Sequence, residues 1–176
     1  MTNPAPLTPD AIRAFQAENP KMRSRDQADR LGLSEAQIVA AHVGCGVTEI
    51  AAHPDQVIGS AQRLGEVMAL TRNESCVHEK VGLYDNYHSG QHATMVLAEE
   101  IDLRMFPNHW RHAFMIETET DAGPKRSLQV FDAAGDAVHK IFLRDTSSLT
   151  AWESLRLSLA LPEQSPTLTV DPRKPP

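Results

Sequence analysis

The sequence predicts an α+β fold, with a helical amino-terminal cap, a curved antiparallel sheet and a carboxy-terminal helix. Three observations predict it. Helix caps and an apolar spacing of three to four residues run through the first third of the chain. From Leu64 the apolar spacing changes to two, with turn residues between short runs. After Ser147 a capping signal and an apolar stripe return.

The elements follow in order. Thr8 can cap a first helix with Pro9 at its first position, Ile12 and Phe15 share a face, and Asn19-Pro20 stops it. A second helix over Arg23–Leu31 ends at Gly32, which suits the left-handed position after a helix. Ser34 starts a third, with Gln37 completing a capping box and Leu33 stapling onto Ile38. Gly44 and Gly46 close it, and a short helix fits Pro54–Arg63. Strands are expected at Val67–Leu70, Cys76–Tyr84, Ala93–Leu97, Ile101–Phe106, Trp110–Ile116, Leu128–Phe131 and Val138–Leu143. Asp121–Pro124 and Asp132–Asp136 read as turns, the second a hairpin in which Gly135 tolerates positive φ. A last helix begins near Ser147–Thr150, where Thr150 and Glu153 form a capping box; Trp152, Leu155 and Leu159 make its apolar stripe. This gives one domain over 1–161, with helices to about 63, sheet over 64–145 and helix over 147–161. A Pro-rich linker or extended tail follows over 162–176, which suggests a chain that continues.

Composition is that of an ordinary globular chain, large enough to bury a core without staples. The formal net charge of -6 argues against nucleic acid or an anionic membrane as the main partner. It leaves room for an anionic ligand held by local Arg or Lys. Cys45 and Cys76 fit no metal-binding spacing, and reducing cytosol is the simplest setting. MTNPAPLTPD lacks the basic and apolar regions of a leader, and no apolar run is long enough to insert in a bilayer. A cytoplasmic location is expected.

Two strands carry the candidate chemistry. In Cys76–Tyr84, alternation puts Val77, Val81 and Leu83 on one face with Glu79, and this face suits a core. Cys76, His78, Lys80 and Tyr84 take the other. In Ile101–Phe106, Ile101, Leu103 and Met105 oppose Asp102, Arg104 and Phe106. If the two strands share a sheet, His78, Lys80, Arg104 and Phe106 occupy one surface. An imidazole can ligate a haem iron, Lys and Arg can pair with propionates, and Phe106, Met95 and Leu97 can contact the porphyrin. A polar solvent face accounts for the same pattern equally well.

The run ALTRNESCVHEKVGLYDNYHSGQHATMVLAEEIDLRMFPNHW resembles the amino-terminal repeat of the HemS/ChuS hemin-degrading family. RSLQVFDAAGDAVHKIFLRD and RSRDQADRLGLSEAQIVAAHVG resemble it too, and together these segments cover about Pro20 to Asp145. The resemblance implies one half of a two-repeat architecture in which haem sits between the halves. It implies His78, the His of the VHE motif, as iron ligand, and Arg104 of DLRMF at the pocket. Met95, Leu97 and Phe106 fall on apolar pocket positions. The principal axial His of many relatives belongs to the second half, so the implied partner is a second HemS-like half or a homodimer copy. The implied function is intracellular haem binding in iron acquisition, followed by haem degradation or delivery. Degradation would need an external reductase, since the chain shows no dinucleotide fingerprint; no catalytic residue is assigned.

Other readings compete. The half can be a structural or dimerising module without a haem site. Its RDQADRLGLSEAQIVAA segment has the outline of a helix-turn-helix, although Ser34, Glu35 and Gln37 make a poor DNA-reading surface. His88 and His92, and His109 and His112, lack the context of a zinc site. His139 reads as a satisfied sheet residue, and His42 and His53 as structural or exposed. Cys76 shares the face of His78 and can approach the same site as a thiolate, or pack as a reduced thiol.

Overall fold

The computed structural model describes residues 7–175. Residues 1–6, which open the MTNPAPLTPD segment expected to be no leader, and Pro176 at the end of the tail lie outside the described residues. Three helices open the chain: α1 (Pro9–Glu18), α2 (Ser24–Leu31) and α3 (Glu35–Ala40). Their limits are set as the capping signals predict. Thr8 Oγ1 accepts from the Ala11 N–H at 3.2 Å. Gly32 takes φ 66 at the end of α2. Ser34 and Gln37 form a reciprocal capping box. Ile12, Ala28, Ile38 and Ala41 form a small core between the helices, with Leu31 and Leu33 packed on it.

Strand β1 (Val47–Ile50) and helix α4 (Pro54–Ala61) come next. Periodicity does not reveal β1, because four residues are too few to show alternation and its partner is distant in sequence. His53 caps α4, its Nδ1 accepting from the Asp55 N–H at 3.1 Å. Then follow β2 (Val67–Arg72), β3 (Val77–Gly82), β4 (Tyr87–His88), β5 (Thr94–Leu97), β6 (Asp102–Met105), β7 (His112–Thr120), β8 (Gly123–Phe131), β9 (Ala137–Leu143) and α5 (Leu149–Leu159).

The strands form two antiparallel sheets. A six-stranded sheet runs in the order β1-β7-β8-β9-β2-β3, and a three-stranded one in the order β4-β5-β6. One face of the large sheet presents Ile50, Val67, Ala69, Ala113, Met115, Leu128, Val130 and Ile141 to the main core. The small sheet, α4 and α5 cover it with Val96, Met105, Val57, Ile58, Trp152 and Leu155. The other face carries Phe114 and Phe131, packed edge to face with ring centroids 6.0 Å apart, beneath Ala36, Val39 and Ala40 of α3. No residue of α3 is exposed, and its polar Glu35 and Gln37 are engaged by Lys140 and the Leu168 carbonyl, which leaves the helix no free face to read DNA.

Two expectations need correction. Helix α5 is capped by Ser148, whose Oγ accepts from the Ala151 N–H at 3.1 Å. Thr150 lies inside the first turn, and Glu153 pairs with Arg156 instead. The register is decided by Ser147, which donates to the Glu66 carbonyl at 2.6 Å and so anchors the chain one step before the cap. On β3, the face predicted to suit a core is the outer one: Val77 is 46% and Leu83 41% exposed. Strand β3 is an outer strand, and its register sets Gly82 opposite Val67 and Lys80 opposite Ala69, the core-facing residues of β2.

Gly82 is where the two sheets meet. A β-carbon there would lie 2.8 Å from the Glu100 β-carbon and 3.2 Å from the Ile101 side chain. The Gly82→Ala substitution is expected to cost roughly 1–3 kcal/mol through this overpacking. Urea unfolding reads the loss directly; an unchanged midpoint would show that the sheets do not close against each other here.

After α5 the chain continues as an extended arm. The Gln164 side chain bonds both the N–H and the carbonyl of Glu49, each at 2.8 Å. Leu168 packs near Phe131, the Asp171 N–H donates to the Ala133 carbonyl, and Arg173 makes a bidentate pair with Asp136.

Candidate functional site

The turn between β2 and β3 is built by Asn73, whose Oδ1 accepts from the Ser75 and Cys76 N–H groups at 2.8 and 2.9 Å. Cys76 thus belongs to the turn rather than to the strand, and it is exposed. His78 follows as the second residue of β3, exposed and directly opposite Thr71. Lys80 comes two residues later and reaches across to Glu100 at 2.5 Å.

Strand β6 alternates as predicted: Ile101 and Met105 are buried, while Asp102, Arg104 and Phe106 are exposed. Its register with β5 sets Met95 opposite Arg104 and Leu97 opposite Asp102. The small sheet therefore has an inner face of Thr94, Val96, Leu103 and Met105. Its outer face carries Met95, Leu97, Asp102 and Arg104, and Phe106, 55% exposed, follows directly. Arg104 Nη1 pairs with Asp102 Oδ1 on the same strand at 2.5 Å.

The condition that β3 and β6 share a sheet is not met. His78 and Lys80 stand on the edge of the large sheet, and Met95, Leu97, Arg104 and Phe106 on the small one. The two groups adjoin through the Lys80–Glu100 pair and the closure at Gly82. Both ion pairs are about half exposed or more, so each is weak and easily exchanged for another anion. A separate recess of about 1110 Å³, bordered by Arg13, Gln16, His42 and Phe142, contains none of these residues. The candidate site is an open wall rather than a closed pocket. Among the described residues no three His, Cys, Asp or Glu side chains gather as a metal cluster.

Beneath this wall is a polar group that alternation alone could only partly reveal. His139 shares the strand parity of Ile141 and is buried. Its Nε2 lies 2.5 Å from Tyr84 Oη and its Nδ1 2.9 Å from Thr71 Oγ1. Trp110 packs beside it, ring centroids 6.4 Å apart. The sequence predicts a satisfied His139 but not its partners. Tyr84 looks like a neighbour of His78 on the mixed face, yet it is fully buried because the chain has left β3 and turned into the core.

Burial lowers the His139 pKa to about 4, so the folded chain keeps it neutral. An unfolded histidine takes up its proton near pH 6.5. Between those values the unfolded state binds a proton that the folded state refuses. The contribution is complete above about pH 6.5 and is lost as pH falls toward 4, on the order of 3 kcal/mol in total. Urea midpoints should therefore drop between pH 7 and pH 5, and the drop should shrink in His139→Gln.

The sequence profile of the haemin-degrading HemS.ChuX domain matches residues 32–159. Hemin transport protein HmuS of Yersinia pestis is 37% identical over 158 residues, which are 89% of this chain and 46% of that protein. Holo-PhuS, a heme-binding protein from Pseudomonas aeruginosa, superposes with a TM-score of 0.89 at 38% identity, covering 97% of this chain and 51% of the other. ChuS, an E. coli heme oxygenase, superposes with a TM-score of 0.81 at 30% identity, covering 92% and 50%. The chain spans about half the length of these relatives. With the profile matched over most of its length and the same fold as these proteins, the chain belongs to the haemin-degrading HemS.ChuX family.

Proposed function

We propose that this chain binds haem on the wall formed by β3 and the small sheet, as part of intracellular iron acquisition, with His78 as the iron ligand. The observation that supports this most is the company His78 keeps: an exposed imidazole on an edge strand, next to a sheet face that exposes Leu97 and Phe106, with a half-buried Met95, beside Arg104. The donor set fits the group. Imidazole suits the iron, the apolar side chains suit the porphyrin face, and two cations suit the propionates. Arg104 and Lys80 are already held, by Asp102 and Glu100, but these solvent-exposed pairs are weak enough for a propionate to compete with them.

The bound group supplies the redox chemistry, and the protein supplies binding and orientation. His78 sets where the iron sits, Arg104 orients the ring by its carboxylates, and Met95, Leu97 and Phe106 exclude water from one ring face. An open wall covers one side only, so a second surface completes the site: a second HemS-like half or another copy of this chain. Among the described residues no helix is long and apolar enough to cross a membrane.

Hemin titration of the chain tests the reading. A saturable Soret shift supports it, and its stoichiometry, one per chain or one per two, reports whether two copies share the group. Non-saturating absorbance alone would reject it and favour a structural half-module. Adding oxygen and an external reductase then separates degradation from delivery: loss of the Soret band with iron release marks an enzyme, and a stable band marks a carrier.

A further inference from the structure

Thr71 faces His78 across the β2–β3 pair, and side chains at directly opposed positions have β-carbons about 5 Å apart on one face. The Thr71 hydroxyl is also tied inward, at 2.9 Å from His139 Nδ1. The polarity of that bond follows from counting donors. Tyr84 is fully buried, and its hydroxyl has His139 Nε2 as its hydrogen-bond partner. If Tyr84 donates, Nε2 is the acceptor nitrogen of a neutral imidazole, and Nδ1 carries the hydrogen and donates to Thr71 Oγ1. The reverse polarity would leave the Tyr84 O–H buried without an acceptor, at a cost of about 1–3 kcal/mol. The first arrangement satisfies both donors of the Tyr84–His139 pair. It also leaves Thr71 with a second lone pair on the exposed side of the hairpin, where His78 stands.

We propose that Thr71 is a positioning residue for His78: when His78 holds the iron through one ring nitrogen, its other N–H donates to Thr71 Oγ1, which Tyr84 and His139 orient from inside. This rests on His78 being the ligand. Such an outer partner fixes the ring plane of a ligating histidine and raises its basicity. Thr71 suits the task because a hydroxyl can accept from both sides at once, one bond from the core and one from the ligand.

The test uses the whole chain. In the haem-free protein, nitrogen-15 NMR of His139 should show the hydrogen on Nδ1; finding it on Nε2 overturns the proposal. In the haem-loaded protein, the rate of haem loss to apomyoglobin is measured for Thr71→Val, Thr71→Ser and His78→Ala, with a melting curve for each. Thr71→Val should lose haem roughly tenfold faster, the lower end for an outer-shell partner, and Thr71→Ser should hold it at the parent rate. If Thr71→Ser is as fast as Thr71→Val, the effect is packing and the hydroxyl role is wrong. Thr71→Val at the parent rate, with His78→Ala fast, overturns the Thr71 role and leaves the ligand in place. His78→Ala at the parent rate removes both.

Discussion

His78→Ala is expected to weaken haem binding by roughly 100-fold, which corresponds to about 2.7 kcal/mol, and to erase the saturable Soret shift. The reason is that the iron–imidazole bond is the one strong, directional contact in the proposed site, whereas the rest of the wall offers apolar contact and two exposed, weak ion pairs. Stability should hardly change, because His78 is exposed and its side chain makes no hydrogen bond among the described residues; such surface substitutions fall within about 0.5 kcal/mol. That separation makes the result interpretable. Arg104→Ala should weaken binding only a few fold and in a salt-dependent way, since its charge acts near the surface. An unchanged titration curve for His78→Ala would sink the ligand assignment whatever happens at Arg104.

Trp152→Ala should be the most damaging core substitution, at about 3–5 kcal/mol. Trp152 is 1% exposed and lies in the main core with Met115, Leu128, Ile141 and Leu155. Its indole Nε1 has no hydrogen-bond partner among the described residues, so nothing polar is lost on truncation and the cost is that of the cavity. In a chain of this size the melting temperature should fall by roughly 6–20 °C, taking about 2–4 °C per kcal/mol. Trp152→Phe discriminates between explanations. It keeps much of the ring volume and removes an unsatisfied N–H, so its loss should be well under half that of alanine. Equal losses would mean that the indole nitrogen has a role in the core that packing does not describe.

Local chemistry was legible in the sequence, and long-range chemistry was legible only in part. Thr8, Gly32 and the Ser34–Gln37 box each act within four residues, and each marks a helix end where predicted. Alternation sorted the residues of β6 correctly between inner and outer faces. On β3 it sorted them but named the wrong face as core, because period two tells which residues share a side and not which side is covered. That depends on the register with β2, a property of the pair. Strands β1 and β4 escaped for the same reason, being four and two residues long with meaning only beside their partners. The division into two sheets, which separates His78 from Arg104 in the hydrogen-bond network, is likewise a tertiary fact. The candidate site residues are marked by the long motif around His78 rather than by spacing.

The two edges of the large sheet are not equivalent. Outside β1, Ala51 donates to the Leu159 carbonyl, Ile50 bridges to Ala160 and Leu161 donates to the Glu49 carbonyl, so that rim is closed by the end of α5 and the arm. On the opposite rim β3 pairs only with β2 among the described residues. Its free backbone groups are a template for another strand, and Val77 adds exposed apolar surface. Glu79 and Lys80 are the residues that oppose such stacking, since charges on an open strand discourage self-association. The strand that exposes His78 is therefore also an aggregation-prone rim guarded by two charges. On the proposed reading, solubility and ligand access are set by the same six residues.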